Sequence, residues 1–272
     1  LLTGTSSGVG FSPTGAFVIA PTVVSVTSSS PNGTYKINGT IDIQVNFSEP
    51  VTVTGTPQLT LETGGTDRAV NYVSGSGLST LNFQYTVQAG DSSADLDYAT
   101  TTSLVLNSGT IRDAGNNNAI LTLASPGAPN SLGGNKSLVI DGVMPAVTST
   151  APSGGALSTD TSVDFTVNFS ESVVNLSTDD FALGVTGNAT GTIASVSASS
   201  GSSVTVTVSG ITGNGTLRLH LNGSTNIADA AGNSSPAAYT SGTAHTVAMP
   251  TAPGAPTIAP ATAGDGQASA TS

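Results

Sequence analysis

Ile41-Asp42-Ile43-Gln44-Val45-Asn46-Phe47-Ser48-Glu49 is echoed, at an offset of 122 residues, by Val163-Asp164-Phe165-Thr166-Val167-Asn168-Phe169-Ser170-Glu171. In both stretches every second residue is apolar: Ile41, Ile43, Val45 and Phe47, then Val163, Phe165, Val167 and Phe169. Side chains of a strand alternate between its faces, so period two predicts a half-buried strand with the polar residues turned the other way. Glu49 and Glu171 share the parity of the apolar face but stand where the apolar run ends. A carboxylate buried without a partner is costly. Both are therefore expected at the rim of a sandwich, within reach of water, a cation or a hydrogen-bond donor.

A second signal is also repeated. Ile111-Arg112-Asp113-Ala114-Gly115-Asn116-Asn117 in the first half corresponds to Ile227-Ala228-Asp229-Ala230-Ala231-Gly232-Asn233 in the second. Pro21-Thr22-Val23-Val24 and Pro145-Ala146-Val147-Thr148 open the two halves alike, so these are internal repeats. Around them lie short apolar runs bounded by Gly, Asn or Asp. Gln58 to Leu61, Thr80 to Val87 and Lys136 to Ile140 belong to the first half; Val204 to Val208 and Thr216 to Leu221 belong to the second. Such spacing predicts two-sheet sandwiches. The expected fold is all-β, with two tandem Ig-like sandwich domains at 21–142 and 143–249. They are preceded by a linker or strand segment at 1–20 and followed by a further segment at 250–272. Arg218 and His220 alternate with leucines and are expected to face solvent.

A strand ending in Phe-Ser-Glu, paired with a later Asp-Ala-(Ala)-Gly-Asn turn, resembles the tandem bacterial Ig-like repeats of large surface proteins and adhesins. The resemblance covers roughly residues 20 to 248. Pro256 to Ala268 resembles the opening of a fibronectin type III module, after a Pro-rich linker from Thr251. The resemblance implies a non-catalytic, extracellular cell-surface protein.

Composition agrees with strands and turns. The chain has 272 residues, with 33 Gly and 14 Pro. No long stretch has helical spacing, so almost no helix is expected. Sixteen acidic against five scattered basic residues give a formal net charge of −11. A nucleic-acid face needs clustered Lys and Arg, so that partner is excluded. An acidic chain suits divalent cations better, although solubility alone also favours such a charge. Cysteine is absent, which removes disulfides and thiolate chemistry. No apolar run is long enough to span a bilayer. Catalysis finds no motif: the two histidines, His220 and His245, read as strand residues, and no phosphate loop, zinc spacing or dinucleotide fingerprint is present.

Calcium is the cofactor the carboxylates suggest. In an Ig-like fold the loop after the second strand, the loop before the last strand and the incoming linker meet at one pole. That brings Asp141, in Val139-Ile140-Asp141-Gly142-Val143-Met144-Pro145, toward Glu171 and Asp229. Three carboxylates with backbone and Asn carbonyls suit a hard cation. Gly232 permits a left-handed turn, and Asn233 offers a carbonyl. The resemblance implies the same, since related repeats include members that stiffen their junctions with Ca²⁺. The alternative is that Glu171 accepts backbone hydrogen bonds and Asp229 makes an Asx turn. In the first half Glu49 and Asp113 are present, but residues 17–21 (Phe-Val-Ile-Ala-Pro) supply no linker carboxylate. Asp91, Asp95 and Asp97 form either a second Ca²⁺ loop or an acidic surface loop capped by Tyr98. Asp179-Asp180 reads as a turn into a strand, with Phe181 in the core.

Three functions are open at this level. The first is a module that extends, spaces or stiffens a surface protein beside neighbouring Ig-like modules. The second is a self-assembling filament or surface-layer subunit that joins identical copies through the terminal strands at 17–20 and 258–272. The third is an accessory module of a secreted enzyme. No residue pattern singles out a surface ligand.

Overall fold

The computed structural model describes residues 20–154, 157–234 and 236–249. The terminal segments at 1–19 and 250–272, including the fibronectin-like stretch, lie outside the described residues. In the first half, β1 (Val23–Ser28), β2 (Gly33–Lys36), β3 (Thr40–Thr54), β4 (Gln58–Glu62), β5 (Arg68–Ser74) and β6 (Leu78–Thr86) come first. The short pieces β7 (Ser92–Ser93), β8 (Asp97–Tyr98), β9 (Leu104–Val105) and β10 (Thr110–Arg112) follow. A four-residue helix α1 (Leu132–Asn135) and β11 (Leu138–Asp141) complete it. The second half contains β12 (Val147–Pro152), β13 (Leu157–Ser158), β14 (Ser162–Val174), β15 (Phe181–Gly187), β16 (Thr190–Val196), β17 (Ser200–Thr212), β18 (Asn214–Leu221) and β19 (His245–Ala248).

The second half is a sandwich of two four-stranded sheets, β12-β14-β17-β16 and β13-β19-β18-β15. This is the A-B-E-D and A′-G-F-C order of an Ig-like fold. The first half repeats it, with β1-β3-β6-β5 in one sheet and β2-β11-β7 in the other. There β4 pairs with both β5 and β8, so backbone hydrogen bonds close that side of the sandwich. Both halves place the last strand parallel to a short strand after the first: β11 with β2, and β19 with β13.

The alternation read in the sequence becomes two separate cores. Ile41, Ile43, Val45 and Phe47 are buried in one; Val163, Phe165, Val167 and Phe169 are buried in the other. The polar partners of the motif fasten the first strand of each module. Asn46 Nδ2 donates to Ser25 Oγ at 3.1 Å, and Asn168 Nδ2 to Ser149 Oγ at 2.9 Å. Ser48 Oγ accepts from the Thr22 N–H at 3.0 Å while its own N–H donates to Thr22 O. Ser170 does the same with Ala146. The Ser of the motif is thus a clamp on the incoming chain.

One expectation is corrected. The strands do not stop at Glu49 and Glu171 but run on to Thr54 and Val174. What ends there is the register. Between Asn46↔Thr80 and Val51↔Leu78, residues 47–50 stand opposite Ser79 alone. Between Asn168↔Ser203 and Val173↔Gly201, residues 169–172 stand opposite Ser202 alone. Such a bulge bends the strand and re-aims its side chains. Beyond it the strand takes a new partner, β10 in the first half and Ala228 in the second. Arg218 and His220 also differ from expectation. Both are half-buried; the His220 ring lies over Gly184, which has no Cβ to hold it off.

His245, on β19, is only 2% exposed, and among the described residues neither ring nitrogen has a hydrogen-bond partner. Burial pushes its pKa down, partly opposed by the Asp160 carboxylate. A depressed histidine favours the neutral form in the fold. Its contribution to stability is complete above the ordinary value of about 6.5 and is lost as pH falls through the lower folded value. Thermal melts at falling pH should show that loss, and His245→Phe should remove it. An unaltered pH profile in the variant would contradict the assignment.

Candidate metal centre

The bulge on β14 carries Glu171, the end of β11 carries Asp141, and the loop between β18 and β19 carries Asp229. The first and third are brought to one place by backbone pairing. The Val174 N–H donates to Ala228 O at 2.8 Å and the Ala228 N–H to Val174 O at 3.3 Å, which sets Asp229 beside the bulge. The turn from Asp229 to Asn233 closes on itself. Its Asp229 N–H donates to Asn233 O, and Gly232 takes a left-handed φ of 90°. Asp229 Oδ1 accepts from the N–H groups of Gly232 and Asn233 at 2.7 and 2.8 Å, and Oδ2 accepts from Asn233 Nδ2 at 2.8 Å.

One oxygen from each of Asp141, Glu171 and Asp229 lies within 4.8 Å of the other two. Asp229 is buried and the other two are half-buried. Burial pushes the Glu171 carboxyl above the usual carboxylate range, and the charges of Asp229 and Asp141 push it further. Among the described residues no donor meets the Glu171 carboxylate, so the alternative of a Glu satisfied by backbone N–H groups does not describe it. The Asx turn at Asp229 is real, but it uses three of the roughly four lone-pair positions of a carboxylate. The nearby cation is Lys36, on β2 beside Asp141, and its ammonium donates to Gly232 O at 3.1 Å rather than to a carboxylate.

Asn233 plays a different part from the expected ligand. Its Oδ1 accepts from the Ile37 N–H of the first module at 3.0 Å, and its backbone oxygen is held by Asp229. Its Nδ2 also donates to Asp141 O at 2.9 Å. It is a bridge, with its carbonyls already engaged. Neither Lys36 nor Ile37 was legible as part of this site. Only the parallel pairing of β2 with β11 puts them there.

The first half builds the same corner without the third carboxylate. Asp113 Oδ1 accepts from the Asn117 N–H at 2.8 Å and Oδ2 from Asn117 Nδ2 at 2.6 Å. These bonds from Asn117, the side chain first, hold its pKa below the usual range. Arg112 lies opposite Thr52, three residues after Glu49, as Ala228 lies opposite Val174, three after Glu171. The two turns therefore align without a gap, and the left-handed residue is Asn116 at φ 68°, not Gly115. Among the described residues, Asp141, Glu171 and Asp229 are the one group of three acidic, His or Cys side chains close enough to share an ion.

The Asp91–Asp97 loop is not a gathered ligand set; Asp95 is exposed, while Asp91 and Asp97 are buried. Asp91 is 1% exposed and takes the Arg68 guanidinium at 2.7 Å, the Tyr85 hydroxyl at 2.6 Å and the Gln88 N–H at 3.0 Å. Burial works to raise its pKa, but these partners hold it below the usual range. Asp97 accepts from the N–H groups of Tyr98, Leu132 and Gly127, and Asp95 from Leu138 N–H. Tyr98 is fully buried, and that burial, with Asp97 nearby, pushes its hydroxyl up to about 12. These acids anchor loops to the core. Asp179 and Asp180 lie in a single 3-10 turn capped by Ser177, and Phe181 is in the core, as expected.

Residues 141–247 match the family model for a bacterial Ig-like domain. The second module is similar to bacterial Ig-like domains. The match opens on Asp141 and closes on Val247, so all three carboxylates fall inside it. Domains of this family are a non-catalytic type typical of bacterial surface proteins. A search of curated proteins finds no match to the chain. Among the described residues no helix is long and apolar enough to cross a membrane.

Proposed function

We propose that this chain is a spacer of a bacterial surface protein, two Ig-like modules long, whose internal junction is stiffened by calcium at Asp141, Glu171 and Asp229. The convergence of three carboxylates from the linker, the bulge and the last turn carries this reading. Like charges held this close repel, and a divalent cation reverses the sign of that interaction. The donors are carboxylate oxygens, with backbone carbonyls nearby. That suits Ca²⁺, which takes about 6–8 oxygens at about 2.3–2.6 Å, better than Mg²⁺, which keeps its waters and demands octahedral geometry. Asp141 would tie the linker to two ligands of the second module, so the hinge between modules loses freedom when the ion binds. Neighbouring Ig-like modules of the same protein are the natural partners at either end.

Small-angle scattering in calcium and in chelator tests this. A longer, stiffer particle in calcium is expected, with each sandwich still folded in chelator. Superimposable profiles would remove calcium from the reading and leave a plain tandem spacer.

A further inference from the structure

We infer that Asn233 ties the two modules together at their junction and narrows the range of angles between them, with or without a cation. Its side chain is 3% exposed and fully engaged. Nδ2 donates to Asp229 Oδ2 at 2.8 Å within its own turn, and to Asp141 O at 2.9 Å and Val143 O at 3.4 Å in the linker. Oδ1 accepts from the Ile37 N–H of the first module at 3.0 Å. One short, planar amide therefore touches the second module, the linker and the first module at once. Lys36 adds a second tie across the junction, through its ammonium on Gly232 O.

The equivalent residue of the first half is an internal control. Asn117 makes the same bonds to Asp113 within the same kind of turn, and among the described residues no bond from its side chain reaches outside that turn. The turn therefore needs Asn for its own closure, and only at position 233 is the amide also used across modules. A buried amide cut from its partners leaves donors and acceptors unsatisfied on both sides, so the docked arrangement is favoured over a swung-out one.

Asn233 is also a positioning residue for the carboxylates, because its Nδ2 orients Asp229. This second role rests on the calcium reading above; the docking role does not. Removing a side chain that orients a metal ligand lowers affinity by roughly 10- to 100-fold.

The absence of cysteine permits a direct test. Spin labels at Val73→Cys and Val185→Cys, both at exposed positions, report the distance between modules. In chelator, the parent and Glu171→Gln should give matching distance distributions, and Asn233→Ala a broader one. Ile37→Pro, which removes the donating N–H from the first module, should broaden the distribution too, which covers the case in which Asn233→Ala does not fold. Calorimetric titration with calcium should show weaker binding by Asn233→Ala. Distributions matching the parent's in both Asn233→Ala and Ile37→Pro would overturn the inference. If the parent binds no calcium, the calcium reading fails, and broadening in chelator still upholds the docking role of Asn233.

Discussion

Glu171→Gln is expected to make the second module more stable than the parent in chelator and less stable in calcium. Without a cation, Glu171 is pushed toward its neutral form by burial and by the charges of Asp229 and Asp141. A carboxyl whose folded pKa is raised contributes stability that is complete below its unfolded value and is lost as pH rises through the folded value. The parent in chelator should therefore weaken as pH rises above the ordinary Glu range near 4.3, and Gln, which cannot ionise, should flatten that slope. With calcium the order reverses. A ligand that binds only the folded state at about 100 times its dissociation constant adds about 2.7 kcal/mol. For a domain of this size each kcal/mol moves Tm by roughly 4–8 °C, so the parent should gain about 10 °C or more. Loss of one of three ligands removes most of that gain. Calorimetry at pH 5 and 7.5, with calcium and with chelator, reads both effects. Melting curves for parent and variant that keep the same order in all four conditions would reject the site.

The halves of that site differ in how far the sequence shows them. The strands announce themselves, because Ile41 to Phe47 and Val163 to Phe169 alternate without a break and alternation has one physical meaning at that length. The repeat then fixes Glu171 and Asp229 at one pole through fold topology, and Asp141 through its place in the linker. The bulge was not legible: nothing in Phe-Ser-Glu says that residues 169–172 leave the β17 ladder, which resumes at Val173 and Val174, or that Val174 also bridges Ala228. Asn233 could be seen as a turn residue, but its bonds to Ile37 and to the linker depend on how two folded modules meet. The Asp91–Asp97 loop failed for a related reason. Spacing along the chain cannot distinguish carboxylates that share an ion from carboxylates that each find their own donors, as Asp91 does with Arg68 and Asp97 with three N–H groups.

Phe165→Ala should strongly destabilise the second module and leave the first intact. Phe165 is fully buried on β14, between Pro152 of β12 and Val206 of β17. Truncating a buried Phe to Ala destabilises by about 3–5 kcal/mol, the lost transfer free energy plus the cavity left behind. Against a typical domain stability of about 5–15 kcal/mol, that is a large share. The corresponding loss in Tm is more than about 10 °C. The two cores share no residue, so the first module, built around Ile43 at the matching position, should melt where it does in the parent. Two transitions, one displaced, are the expected calorimetric result; a single transition displaced as a whole would mean that the modules fold as one unit. The same variant separates core from junction. Glu171 and Asp229 both belong to the damaged sandwich, so between the two transitions calcium should no longer alter the melt, although Asp141 and the whole first module are still in place.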